Sequence, residues 1–289
     1  MSAPALPAEL VREGILLAHS AEEDKSTALS ILRVSKDVYL WILPVLFRTV
    51  VLTTRHQINA FSRVLKSSVQ TTVGQAGTQV SLGSYVRHLW LGPNDRSPTN
   101  ILQSPRINIW PEFAICAILP LCTSLKSLAI SNFPEELWKN ITLLVPPSVE
   151  SIQLGSVRAY MLWDWTQMPC FSTLRCVTSL ELDGVWSPRM YKAVATMPSM
   201  RTLRRFFPPT PRDTHYNALQ RAAALEHSTT MEHVEIIGCT FRTSELAPRW
   251  LEKCTKASTG RVGPGRLVLR TVDGTIAWKM FFEDWMDHL

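Results

Sequence analysis

The sequence predicts an α/β solenoid, with short parallel strands alternating with return helices and a small all-helical segment in front. Three observations predict it. One apolar phrase recurs along the chain, the stretches between its copies carry helical periodicity, and the first forty-odd residues show helices but no copy of the phrase.

The phrase has the form apolar-x-x-apolar-x-apolar. It reads Val86-Arg-His-Leu89-Trp-Leu91, Leu125-Lys-Ser-Leu128-Ala-Ile130, Val149-Glu-Ser-Ile152-Gln-Leu154, Val177-Thr-Ser-Leu180-Glu-Leu182 and Met231-Glu-His-Val234-Glu-Ile236. Weaker copies are Met200-Arg-Thr-Leu203, whose last apolar position holds Arg205, and Leu267-Val-Leu269; Thr49-Val-Val-Leu52 opens the series. The central apolar residues lie 39, 24, 28, 23, 31 and 33 positions apart. Regular leucine-rich repeats run at about 20–29 residues, so three spacings fit and three contain insertions. Each copy supplies a short strand whose alternate side chains point inward. No copy can bury its apolar face alone, so neighbours must stack. The expected fold over residues 49–289 is an irregular leucine-rich-repeat-type solenoid.

Helical segments fill the returns. Gln57–Lys66 puts Ile58, Phe61, Val64 and Leu65 on one face. Pro111–Leu119 begins with a proline in the first turn, where its missing N–H costs nothing. Glu135–Leu144, Ser187–Met197, Thr210–Glu226 and Thr243–Lys253 are further candidates, while 92–108 and 254–264 read as loops. Ala277–Leu289 is predicted to be a helix capping the last repeat, with Phe281, Phe282, Trp285 and Leu289 at helical spacing.

Composition excludes several classes. No stretch approaches the roughly 18–20 apolar residues that span a bilayer. The N-terminus carries Glu9, Glu13, Glu22, Glu23 and Asp24, which does not fit a signal peptide. A cytoplasmic or nuclear protein is expected. The six cysteines form no C-x-x-C pair, and His227, His233 and Cys239 lack zinc-ligand spacing, so neither metal nor cofactor is expected. The net charge of +6 is dispersed, with one cluster at Arg201, Arg204, Arg205 and Arg212. Nucleic-acid binders concentrate such charge along one face beside stacking aromatics. Nucleophile-elbow and phosphate-loop motifs are absent from the sequence, and Glu181 with Asp183 reads as a solvated strand pair. The expectation is a binding protein and not an enzyme.

Residues 1–48 form the helical segment. Leu6-Pro7-Ala8-Glu9-Leu10 opens a helix to about Ala18, Thr27–Val34 forms a second, and Val38 to Leu46 a third, bent at Pro44. Three short helices bury little alone and need a partner surface, either the repeats, as a terminal cap, or another protein. These residues resemble an F-box. Its motif is matched by Leu6, Pro7, Glu9 and Leu10, then Ile15-Leu16, Val34-Ser35-Lys36 and Trp41, with Gly14 intervening before Ile15. Leu43-Pro44 through Leu52 is similar to the junction in fungal F-box-like proteins with degenerate leucine-rich repeats. The resemblance implies a substrate receptor of a cullin–RING ubiquitin ligase, with a Skp-type adaptor held by Leu6, Pro7, Leu10, Ile15, Leu16, Val34 and Trp41. The repeats would capture a target protein whose identity the sequence does not reveal. A leucine-rich-repeat scaffold without ligase association is the alternative.

Strand alternation places the target site. The residues flanking each central apolar position point away from the core. Stacked, they give His88 and Trp90, Ser127 and Ala129, Ser151 and Gln153, Ser179 and Glu181, Thr202 and Arg204, His233 and Glu235. The strip is small in its middle and bulky or charged toward both ends. It is expected to hold an extended protein segment, anchored at Trp90 on one side and at Arg204 or His233 on the other.

Overall fold

Each strand of the single sheet lies beside the next one in the chain, and all eight run parallel. They are β1 (Thr49–Leu52), β2 (His88–Leu91), β3 (Ser127–Ser131), β4 (Ser151–Gly155), β5 (Cys176–Leu180), β6 (Thr202–Phe207), β7 (His233–Thr240) and β8 (Leu267–Asp273). The structure, a computed structural model, describes residues 36–72, 81–93, 110–131, 135–155, 164–180, 193–207, 230–240, 267–273 and 278–289. Among the described residues the helices are α1 (Lys36–Leu46), α2 (Arg55–Thr72), α3 (Glu112–Ile118), α4 (Glu135–Thr142) and α5 (Trp278–Asp287), and residues 193–196, within the predicted helix Ser187–Met197, are helical as well.

Local chemistry explains the helix starts. The Thr54-Arg-His-Gln57 pattern closes a capping box: Gln57 Oε1 accepts from the amides of Thr53 and Thr54, and Thr54 Oγ1 accepts from the Gln57 amide. That box lets α2 begin at Arg55, ahead of the predicted Gln57. At α3 the Pro111 carbonyl accepts from the amides of Ala114 and Ile115. The predicted helices Thr210–Glu226 and Thr243–Lys253 lie outside the described residues, as does most of the loop 92–108 and all of 254–264.

The apolar core fills the helix side of the sheet. Register aligns Val50, Leu89, Leu128, Ile152, Val177, Leu203 and Val234 in one row. They pack with Ile58 and Leu65 of α2, Ala114, Ile115 and Ile118 of α3, and Trp138 and Ile141 of α4. Burying a Leu or Ile side chain stabilises by about 1.5–3 kcal/mol, so this row with its helices carries most of the fold.

One predicted register is corrected. Val177, not Leu180, pairs with Ile152 and Leu203. The fifth phrase is therefore Leu174-Arg-Cys-Val177-Thr-Ser179, three residues earlier than expected, and its last apolar position is a serine. Ser179 consequently shares the helix-side row with Leu154 and Arg205 instead of the opposite face.

A feature that apolar spacing alone does not show marks the true register. Ser148, Thr173 and Ser199 immediately precede the first apolar residue of their phrases, and each hydroxyl donates to backbone of the preceding turn. Ser148 reaches Thr123 O and Leu125 O, Thr173 reaches Pro147 O and Val149 O, and Ser199 reaches Ser172 O. The residue after that apolar position is charged in phrase after phrase: Arg87, Lys126, Glu150, Arg175, Arg201, Glu232.

Candidate functional site

The other face of the sheet is a groove, and the chain's own C-terminal helix lies in it. Its floor is small: Ser127 and Ala129 on β3, Ser151 and Gly155 on β4, Thr178 on β5. Trp90 forms one bank; Arg204 and Phe206 form the other. The rows of this face keep the size order read from the sequence, from Trp90 through Ala129 to Arg204. The chain's own α5 lies over this face.

Aromatic contacts hold one side of α5. Phe281 and Trp285, one helical turn apart, are buried with Trp90, Ala129, Leu180, Phe206 and Ile237. Trp90 lies 4.9 Å from Phe282 and 5.4 Å from Trp285 between ring centroids, and Phe206 meets Phe281 edge-on at 5.3 Å. Phe281 sits over the strand ends, whereas Trp285 donates its indole N–H to Ser127 Oγ at 2.8 Å, at the start of β3. The helix therefore runs antiparallel to the strands beneath it. Trp90 itself is fixed by its indole N–H to Gly92 O at 2.8 Å. Gly92 has φ +151°, and a Cβ there would fall 2.3 Å from Ser131 Oγ, so glycine shapes this bank.

Polar contacts hold the other side. Arg204 donates from Nη1 and Nη2 to the two carboxylate oxygens of Asp284 at 2.6 and 2.7 Å, and from Nε to Glu235 Oε2 at 2.6 Å. Its side chain is 3% exposed. Burial opposes the guanidinium charge, but hydrogen bonds and charge from Asp284 and Glu235 outweigh it and raise its pKa. Gln153 donates to the Phe281 carbonyl at 2.7 Å. His288 Nδ1 lies 3.4 Å from Arg204 Nη1.

Sequence reasoning therefore found the residues of the face but not their state. Trp90, Gln153, Arg204 and Glu235 share it, and all four are buried. They are no open target surface in this structure. His88 and His233 lie in the neighbouring row at the strand starts. Ser179 lies in the helix-side row with Leu154 and Arg205 and so does not belong to the strip, and Glu181 lies outside the described residues. The predicted C-terminal helix forms, and it meets residues of β2 through β7 on this face of the sheet. Its aromatic residues meet Trp90, and its Asp284 meets Arg204.

Of the proposed adaptor-binding residues, Leu6, Pro7, Leu10, Ile15, Leu16 and Val34 lie outside the described residues. Trp41 is half-buried on α1, whose Ile42 is fully buried.

A second surface runs along the strand starts. Arg48, Arg87, Lys126, Glu150, Arg175, Arg201 and Glu232 each immediately precede a strand, and their backbones continue the sheet ladder. Lys126 Nζ lies 2.5 Å from Glu150, Arg175 lies 3.5 Å from it, and Arg201 is 3.3 Å from Glu232. The hydrogen bond from Lys126 holds the Glu150 carboxyl below its ordinary value, with Lys126 and Arg175 charges adding to it against partial burial. A shallow cavity of about 520 Å³ opens here beside Arg175, Arg201, Thr230 and Glu232. Its charges are solvated.

Thiol chemistry is muted. Burial pushes Cys122 and Cys170 up to about 12 and raises Cys116 and Cys176, so none of the four is a thiolate at neutral pH. Among the described residues no three His, Cys, Asp or Glu side chains could hold a metal ion, and no helix is long and apolar enough to cross a membrane. No protein-family model matches the chain, and comparison with curated proteins gives no match.

Proposed function

We propose that the chain is a protein-binding module, a leucine-rich-repeat-type solenoid that serves as a substrate receptor of a Skp/cullin-type ubiquitin ligase. The observation that carries the binding role is the engagement of a helix by one sheet face, through aromatic, backbone and ionic contacts together. Strands in unbroken chain order, one recurring phrase to a strand, support the solenoid reading. The ligase role rests on the F-box resemblance of residues 1–48: an apolar helical surface headed by Leu6-Pro7 would dock on the adaptor, and the sheet would hold the target.

One observation favours the second reading, a repeat scaffold without a ligase. Ile42 and Leu43 of α1 are buried, and α1 packs on the turn Leu82–Tyr85 that leads into β2, as a terminal cap would. A pull-down with a Skp-type adaptor separates the two. The wild-type chain should retain the adaptor, and Leu10→Glu with Leu16→Glu should abolish retention without lowering Tm. Absence of capture by the wild-type chain would leave the scaffold reading.

A further inference from the structure

We propose that the grooved sheet face receives an amphipathic helix of a partner protein, and that α5 is the chain's own occupant of that groove. The partner helix would carry an aromatic residue, an acid three positions later and an indole at the fourth, the pattern that Phe281, Asp284 and Trp285 present. The inference rests on reading the chain as a protein-binding module and specifies the ligand class.

Four features support exchange of the occupant. The cluster beneath α5 is separate from the apolar core on the helix side, so an empty groove leaves that core whole. Gln153 binds a main-chain carbonyl, a contact any helix supplies. Arg204, already paired with Glu235, still takes a second carboxylate, and in a desolvated site such a pair specifies its ligand more than it stabilises the fold. Finally, ten residues are too few for a stable isolated helix. α5 therefore takes its order from docking, as a partner segment would on binding.

A labelled peptide spanning residues 276–289 serves as the probe, titrated against the full chain. In the wild type the tethered helix competes at high effective concentration. Phe281→Ala with Asp284→Ala should weaken that competitor and tighten peptide binding at least about tenfold. A peptide with asparagine at the Asp284 position should bind about tenfold more weakly than the acid peptide, and Arg204→Met should erase this preference. No binding to the double variant while its strand amides stay protected would overturn the proposal, because α5 would then be a fixed part of the fold. If the double variant unfolds, excess peptide on the wild-type chain should raise amide exchange in α5; unchanged exchange overturns it equally. A wild-type dimer that dissociates on Asp284→Ala would make the occupant a second copy and also overturn it. Adaptor capture by the same samples separates the two claims: lost peptide binding with capture intact sinks this inference alone.

Discussion

The two faces of the sheet are buried by different means. On the helix side, a row of aliphatic side chains from successive strands meets α2, α3 and α4, and the strand register repeats. On the groove side, one short helix covers a small cluster through three aromatic residues, one amide and one arginine. The first arrangement is spread along the chain and tolerant of phrase spacing. The second depends on a few side chains at fixed places. The dependence is expected to be one-way: the groove needs the sheet, while the helix-side core should survive the loss of α5.

Damage on the helix side should have the largest effect. Leu128→Ala removes a fully buried side chain at the middle of the row, and about 2–5 kcal/mol of unfolding free energy should be lost in denaturant titration. Tm should fall, and α5 should be released with the sheet. On the groove side, Asp284→Ala should cost less, about 1.5–3 kcal/mol, because Arg204 keeps Glu235. A double-mutant cycle with Arg204→Met should give a coupling of about 0.5–3 kcal/mol between the two residues. No coupling would mean the ion pair contributes nothing to docking.

The difference between the faces also explains what the sequence disclosed. The helix-side row announces itself through Leu, Ile and Val at constant offsets, and α1, α3, α4 and α5 were predicted to within a few residues, whereas α2 runs six residues past its predicted end. The register failed where the pattern's last apolar position was Ser179, because Leu180 and Leu182 offered a better apolar match. Thr173 and Arg175, the hydroxyl and charge that recur in the neighbouring phrases, pointed to the correct frame. The groove was visible as a gradient of side-chain size from Trp90 to Arg204. Its closure was not, since contacts such as Gln153 with Phe281, 128 residues apart, follow no local period.

Acid should probe a smaller difference. Burial first, and then the charges of Arg48 and Arg87, lower the pKa of His88 below 6.5. The folded chain thus holds His88 neutral while the unfolded chain protonates it. Stability should be full above about pH 6.5 and decline as pH falls from there toward the folded-state pKa. His88→Gln should flatten that decline in urea titrations at several pH values. The Lys126–Glu150 pair is weaker still. The Glu150 pKa is depressed, so its contribution is present above the ordinary carboxylate value of about 4.5 and lost as pH falls below it. Glu150→Gln should cost no more than about 1 kcal/mol at pH 7, in keeping with a partly exposed pair.

Amide hydrogen exchange on Trp285→Ala tests the one-way dependence most directly. That substitution empties the Trp90 side of the groove and removes the indole bond to Ser127. Exchange across residues 278–287 should become as fast as in an unstructured peptide, while amides of β3, β4 and α2 keep their wild-type protection. Loss of protection throughout the sheet would contradict the account, making α5 a structural member of one indivisible core.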